Sequence, residues 1–355
     1  MSHSEFRLNK INNEVFVAEN QFPSFSNTQL DFLIHSLPQS VKGRVRICAH
    51  KTNDDRQHEM FIAFRGDNYI RPSYHLGKDE SLHVLRGHGQ YLFFDESGNI
   101  VDSVALGDYD SDDKFYCRIN ESVVHALVIS SSQMAIHETT GGPFSRSDTV
   151  FTDWSPEEGT ADAVDYLDSL KAHARARRPL LKMKRQAEEV FVVDEAIACV
   201  GRADIEVLKE AVSSTQRKRV RLCTHTSTEN KLHEMFVVYT DLTYVRPNMH
   251  LGKDESLHIL EGEADFFFFD ESGRVIEVVP LGDAKTKREF YVRVPAHVYH
   301  TIVMKSERLV IHEVTPGPFV RSDTVWAAWA PDESDVEGVK AFTAALQLEA
   351  SSRGR

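Results

Sequence analysis

The chain repeats itself once, at a fixed offset of 175 residues. His58-Glu59-Met60-Phe61 recurs as His233-Glu234-Met235-Phe236, and the nine residues His75 to His83 recur unchanged as His250 to His258. Gly142-Pro143-Phe144 maps onto Gly317-Pro318-Phe319, Glu14-Val15-Phe16 onto Glu189-Val190-Phe191, and Trp154 with Pro156 onto Trp329 with Pro331. A long period occurring twice marks a duplicated domain, because the repeats of a solenoid run ~20–50 residues. The 355 residues therefore divide into residues 1–172, a linker at 173–187, and residues 188–355.

Each copy opens with an amphipathic stretch, Leu30, Leu33, Ile34 and Leu37 in the first and Ile205, Leu208 and Val212 in the second, whose spacing predicts a short helix. Short segments rich in Val, Ile, Phe and Tyr follow: 44–48, 60–64, 82–85, 90–94, 100–105, 115–119, 123–129 and 134–138. Strands at this spacing predict a sandwich or barrel. Asp95-Glu96-Ser97-Gly98-Asn99 and Asp270-Glu271-Ser272-Gly273-Arg274 supply the glycine a hairpin turn needs. A second helix closes each copy, with Val164 and Leu167 answering Val339 and Phe342. The fold class is mainly β, two tandem barrels each with a short N-terminal and C-terminal helix.

Composition narrows the function. The four cysteines, Cys48, Cys117, Cys199 and Cys223, form neither a CxxC pair nor a dense framework, which predicts free thiols and a reducing, cytoplasmic location. No apolar stretch approaches the ~20 residues of a membrane span. A net charge of −13 argues against a nucleic-acid partner. Residues 171–185 run against that charge, with seven Lys or Arg and no acid, and read as a solvated linker helix pairing with acidic surface nearby or, alternatively, a local anion-binding site. No nucleophile elbow, phosphate loop or dinucleotide fingerprint occurs.

The 17 histidines carry the chemical signal. Under the offset they sort into His50/His225, His58/His233, His75/His250, His83/His258, His125/His300 and His137/His312, leaving His3, His35, His88, His173 and His297 without counterparts. Imidazole is the commonest neutral metal ligand, and alternate residues of neighbouring strands can converge several rings on one ion.

The segment Arg71 to Gly87, with His75, four residues, Glu80 and then a hydrophobic strand closing on Gly87, resembles the first motif of the cupin superfamily, and Arg246 to Gly262 repeats it. Pro295-Ala296-His297-Val298-Tyr299-His300 resembles the second cupin motif; in the first copy Asn120 stands where that proline would precede His125. Two copies make a bicupin, a pair of double-stranded β-helix barrels. The leading helix, Arg46 with His50 (Arg221 with His225), the Met-containing strand, Arg-Pro before the metal histidine and the Gly-Pro-Phe tail are similar to the cupin-fold metalloproteins of the WbuC type. That resemblance implies a metal on the motif histidines and glutamate, and substrates among small polar or carbohydrate-related metabolites. Where a cupin usually has the first histidine of His-x-His, this chain has Ser73 and Asn248. The remaining set, His75, Glu80 and His125, with His250, Glu255 and His300, suits Fe(II), with Mn, Ni or Zn as alternatives.

Other residues have two readings. His83 and His258 follow the glutamate by three positions, so strict alternation turns them to the opposite face, while a bulge would bring them to the metal or pocket. His58 and His233 are pocket residues or satisfied strand histidines, and His50 and His137 orient ligands or anchor the barrel. Arg71 and Arg246, like Arg146 and Arg321, either clamp a substrate anion or pair with Asp148 and Asp323, and Ser73 and Asn248 are candidate substrate contacts. Lys78-Asp79 reads as a solvated turn. The expected function is a metal-dependent oxygenase, isomerase or lyase acting on a small molecule, as a monomer or homodimer; the alternative is a non-catalytic binding module with a structural or vestigial metal site.

Overall fold

A computed structural model describes residues 6–353; His3 lies outside them. The expected tandem barrel is what the chain forms. In each copy two sheets face one another across an apolar interior. In the first, one face runs Val15–Ala18, Arg44–Cys48, Gln57–Arg65, Gln133–Gly141, Glu80–Arg86 and Lys114–Ile119; the other runs Ile100–Gly107, His88–Phe94, His125–Ile129, Ser73–His75 and Thr149–Phe151, and the two are joined where Lys114 pairs with Leu106. The second copy repeats this order with Val190–Val192, Arg219–Cys223, Leu232–Thr240, Arg308–Pro316, Glu255–Glu261 and Tyr291–Val294 opposed to Val275–Gly282, Glu263–Phe269, Tyr299–Met304, Asn248–His250 and Thr324–Trp326.

Period-2 alternation sets what fills each barrel. Along Gln57–Arg65, Met60, Ile62 and Phe64 enter the interior with Leu82, Val84, Phe93 and Ile136, while Phe61 and Ala63 turn outward to a second apolar layer beneath the helix Asn27–Ser36. That helix starts at Ser26, whose side chain accepts from the Thr28 backbone while Gln29 closes a capping box. The closing helices Ala161–Lys171 and Val336–Arg353 cover the outer sheets through Leu167 and Leu170 and through Leu346. No helix among the described residues is long and apolar enough to cross a membrane.

The barrels exchange strands. Ser24–Phe25 of the first copy pairs antiparallel with Tyr291–Val294 of the second, and Ile197–Gly201 of the second pairs with Lys114–Ile119 of the first. The exchange corrects the expectation of free thiols. Cys199 falls directly opposite Cys117, their Cα atoms 4.1 Å apart, and the two form a disulfide; Cys48 and Cys223 are free and buried. Proximity created by a strand from the other copy is invisible in cysteine spacing.

The expected linker helix is also corrected. Residues 173–183 carry no helix or strand, and Pro179 forbids a continuous one. Arg175 and Arg177 pair with Asp113, and Arg178 with Asp102, so the basic run lies along acidic surface of the first barrel.

Candidate metal centre

The His-x4-Glu segment is a strand, a tight turn and a strand. Gly77 and Gly252 both sit at φ +66°, a conformation that a side chain would strain, and they fold residues 76–79 and 251–254 so that histidine and glutamate return to one face. His125 stands opposite Ser73 on one side and Phe93 on the other, and Glu80 stands opposite Ile119 and Thr140. Residues directly opposed across a sheet share a face. All three groups therefore enter the first barrel, and His250, Glu255 and His300 enter the second through the same register.

In each barrel the three ligand atoms lie within 4.8 Å of one another. His75 Nε2 is 2.7 Å from Glu80 Oε2 and His125 Nε2 is 3.6 Å from Glu80 Oε1. In the second barrel Glu255 Oε2 lies 3.1 Å from both His250 Nε2 and His300 Nε2. The far nitrogens are held. His125 Nδ1 is 2.9 Å from the Val123 carbonyl and His300 Nδ1 is 2.9 Å from that of Val298, while His75 and His250 turn Nδ1 to Thr149 and Thr324 at 3.2 and 3.3 Å. A carbonyl accepts only from N–H, so neutral His125 and His300 carry the proton on Nδ1 and aim the Nε2 lone pair at a carboxylate. A proton or a bound cation can satisfy imidazole nitrogens that face a carboxylate, and two imidazoles with one carboxylate fit a divalent transition ion.

Electrostatics agree. Burial would push the glutamates up, but the facing histidines override it and hold Glu80 and Glu255 well below the usual carboxylate range. Against the opposing pull of burial, those carboxylates raise His75 and His250.

Sequence reasoning missed a second acid in each barrel. Glu138 lies opposite Leu82 and Met60, and Glu313 opposite Leu257 and Met235, on the interior face beside the first glutamate. Burial first and the neighbouring Glu80 or Glu255 charge second push each up to about 7. Arg46 and Arg221 are their nearby positive charges. The signal was present, since Met134 and Ile136 alternate inward and place Glu138 inward too. The barrels also differ in one phenol. Tyr91 donates to Glu80 Oε1 at 3.4 Å, while its counterpart is Phe266; the second barrel has Tyr239 in its interior, where the first has Phe64.

The remaining predicted residues go elsewhere. Alternation prevails for His83 and His258, which leave the metal face and stack on each other at the barrel–barrel interface, centroids 4.2 Å apart. His58 and His233 stack on His50 and His225 at 4.1 and 4.2 Å; all four rings are buried, and none belongs to the three-ligand groups. His137 and His312 approach Glu59 and Glu234 at 3.2 and 3.3 Å, at the interface. Ser73 and Asn248 are on the metal face, buried opposite His125 and His300. Arg71 binds Ser155 and the Thr152 carbonyl, and Arg246 binds Asp332 and the Ala327 carbonyl, so both pin the closing segment. The expected partners Asp148 and Asp323 pair instead with Lys78 and Lys253 at 2.8 and 2.9 Å. Lys78-Asp79 is accordingly no solvated turn: Asp79 takes a buried arginine, Arg118, at 2.6 Å.

A family model described as "Domain of unknown function (DUF6016)" matches residues 25–106 and again 200–281, one segment in each copy. No curated protein sequence matches the chain. Among solved structures the chain is similar to salicylate 1,2-dioxygenase from Pseudaminobacter salicylatoxidans, at 11% identity and a TM-score of 0.59 over 92% of this chain and 91% of that one. The same enzyme in an adduct with gentisate aligns at 11% identity and a TM-score of 0.59, over 86% of this chain and 84% of that one. At such identity the likeness is one of fold, and the fold is a tandem cupin.

Proposed function

We propose that this protein is a metal-dependent bicupin enzyme in which each barrel holds one divalent transition ion, Fe(II) foremost, on His75, Glu80 and His125 or on His250, Glu255 and His300. The observation that carries the reading is the duplicated convergence of three ligand atoms within 4.8 Å, with the Nε2 atoms of both histidines facing a carboxylate. Bound there, such an ion activates dioxygen or polarises a substrate oxygen, since three protein ligands leave coordination positions for small molecules. The likeness of fold to a salicylate dioxygenase supports an oxygenase, and the sequence resemblance to WbuC-type proteins directs the substrate search toward small polar or carbohydrate-related metabolites.

The chain's own residues divide the remaining work. The carbonyls of Val123 and Val298 fix the imidazole tautomers. Glu138 and Glu313, pushed up to about 7 by burial and the adjacent carboxylate, can take or give a proton at the carboxyl within the barrel. Barrel walls of Phe, Leu and Ile exclude water around them.

Elemental analysis of protein purified without chelators, followed by oxygen-uptake assays across candidate small molecules, tests the reading. The expected result is two transition ions per chain and metal-dependent oxygen consumption; less than one tightly bound ion per chain overturns it. Saturable small-molecule binding without turnover selects a binding module instead.

A further inference from the structure

Glu59 and Glu234, the acids of the duplicated His-Glu-Met-Phe motif, are fully buried, yet neither enters its own barrel. They sit on the outward face of their strands and reach across the interface. Glu234 of the second barrel accepts from Ser81 of the first and, at 2.6 Å, from Arg118 Nη1. Arg118 Nη2 continues to Asp79 at 2.6 Å. Asp79 and Ser81 are the two residues flanking Glu80. One carboxylate of the second barrel thus grips the metal-directed glutamate of the first from both sides along the chain.

The serine and arginine contacts are mirrored. Glu59 accepts from Ser256 at 2.6 Å and from Arg293 Nη1 at 2.9 Å, and Arg293 Nη2 holds Asp254 at 2.8 Å. Ser256 and Asp254 flank Glu255. The grip also extends to the second motif, because Asp79 accepts from the Glu121 backbone at 3.1 Å and Asp254 from that of Ala296 at 3.0 Å, in the turns that lead into His125 and His300. Burying a carboxylate with a guanidinium carries a desolvation penalty that a well-packed apolar pair avoids, so stability alone is a poor reason for two such networks. Residues around metal ligands that fix their orientation commonly set affinity by 10–100-fold.

We propose that Glu234 is a positioning residue for the first barrel's metal site and Glu59 for the second's, so that each site is set by a residue of the opposite barrel. The inference rests on the reading that both sites bind a divalent ion.

Single-site proteins test it: His300→Ala keeps only the first site and His125→Ala only the second. Each is titrated with Mn(II), followed by calorimetry and by the electron paramagnetic resonance of the bound ion. Glu234→Gln is expected to weaken Mn(II) about tenfold or more in the His300→Ala protein and to change it less than about twofold in the His125→Ala protein; Glu59→Gln gives the reverse. A general loss of folding would depress both backgrounds together. Equal effects in the two backgrounds, or none in either, overturn the proposal. If Glu234→Gln does not fold, Ser81→Ala and Asp79→Asn in the His300→Ala protein remove the same grip, with the same weakening expected and an unchanged affinity overturning it. If neither single-site protein binds Mn(II), the metal reading falls and this inference with it.

Discussion

The two candidate metal centres have the same donors and different walls. Both have His, Glu and His at matched positions, a second acid on the interior face pushed up to about 7, and a neighbouring arginine. Around that set, Tyr91 in one barrel becomes Phe266 in the other, Phe64 becomes Tyr239, and Ser73 becomes Asn248. A phenol has been kept in each interior but moved to a different strand, and only that of the first barrel bonds the ligand glutamate. What the duplication preserves is chemistry directed at an ion; what it varies is the surface a bound molecule would touch. The first barrel is also looser at the second histidine, 3.6 Å against 3.1 Å to the glutamate.

If the sites are equivalent toward the ion, removing one histidine from either has the same large result. His125→Ala and His300→Ala should each lower bound metal from two ions per chain to one, by elemental analysis, with the strand content by circular dichroism retained. Loss of both ions from either variant would mean that the sites are not independent, and loss of folding would mean a structural ion.

A second contrast lies at the two ends of the interface. Burial pushes His50 down to about 4 and His225 to about 3, from an ordinary value near 6.5, and each is lowered further by the histidine stacked on it. Such rings stay neutral in the fold while the unfolded chain takes up protons below about 6.5. Their contribution is therefore present above pH 6.5 and is lost as pH falls to about 4 for His50 and about 3 for His225, at most ~3–5 kcal/mol for each ring. His75 and His250, raised in the metal-free protein, act in the opposite sense, but His58, His83, His233 and His258 join the lowered set. Denaturant midpoints should fall between pH 7 and 4.5, and His225→Asn and His50→Asn should each remove part of that acid sensitivity, to a similar extent over this range. A midpoint unchanged across the range would refute the assignment.

The sequence made the metal set legible because its spacing specifies one geometry: a histidine, a glycine turn and a glutamate at the start of a strand. Alternation likewise foretold that His83 would leave the metal face. It could not tell what the outward face would meet. In a lone barrel His83 and Glu59 would look into solvent; here they look into the other barrel, through contacts between residues 116 to 232 positions apart. The same blindness hid the exchanged strands and the Cys117–Cys199 bond. Glu138 is different: it obeys the offset with Glu313 as the histidines do, and the strand alternation of Met134 and Ile136 already turns it inward.

That interface offers a smaller contrast. Phe61 packs on Phe25, His137, Phe290 and Tyr291, whereas Phe236 packs on Phe115, Tyr116 and His312. Both are fully buried, so truncation to alanine should destabilise by about 3–5 kcal/mol, with Phe61→Ala the more costly. A loss below about 1 kcal/mol in urea unfolding would mean that the barrels are held apart from this layer.

The smallest expected effect concerns the relocated phenol. Tyr91 reaches Glu80 at 3.4 Å, a long hydrogen bond, so Tyr91→Phe in the His300→Ala protein should weaken Mn(II) only about two- to fivefold, under ~1 kcal/mol. Tyr239 lies near Glu255 and Glu313, whose charges raise its pKa after burial has done so, but its counterpart substitution breaks no bond to the ligand carboxylate. Tyr239→Phe in the His125→Ala protein should therefore leave Mn(II) affinity within about twofold. Equal losses in the two proteins would show that either phenol tunes the ion from either strand, and the asymmetry between the walls would then concern packing alone.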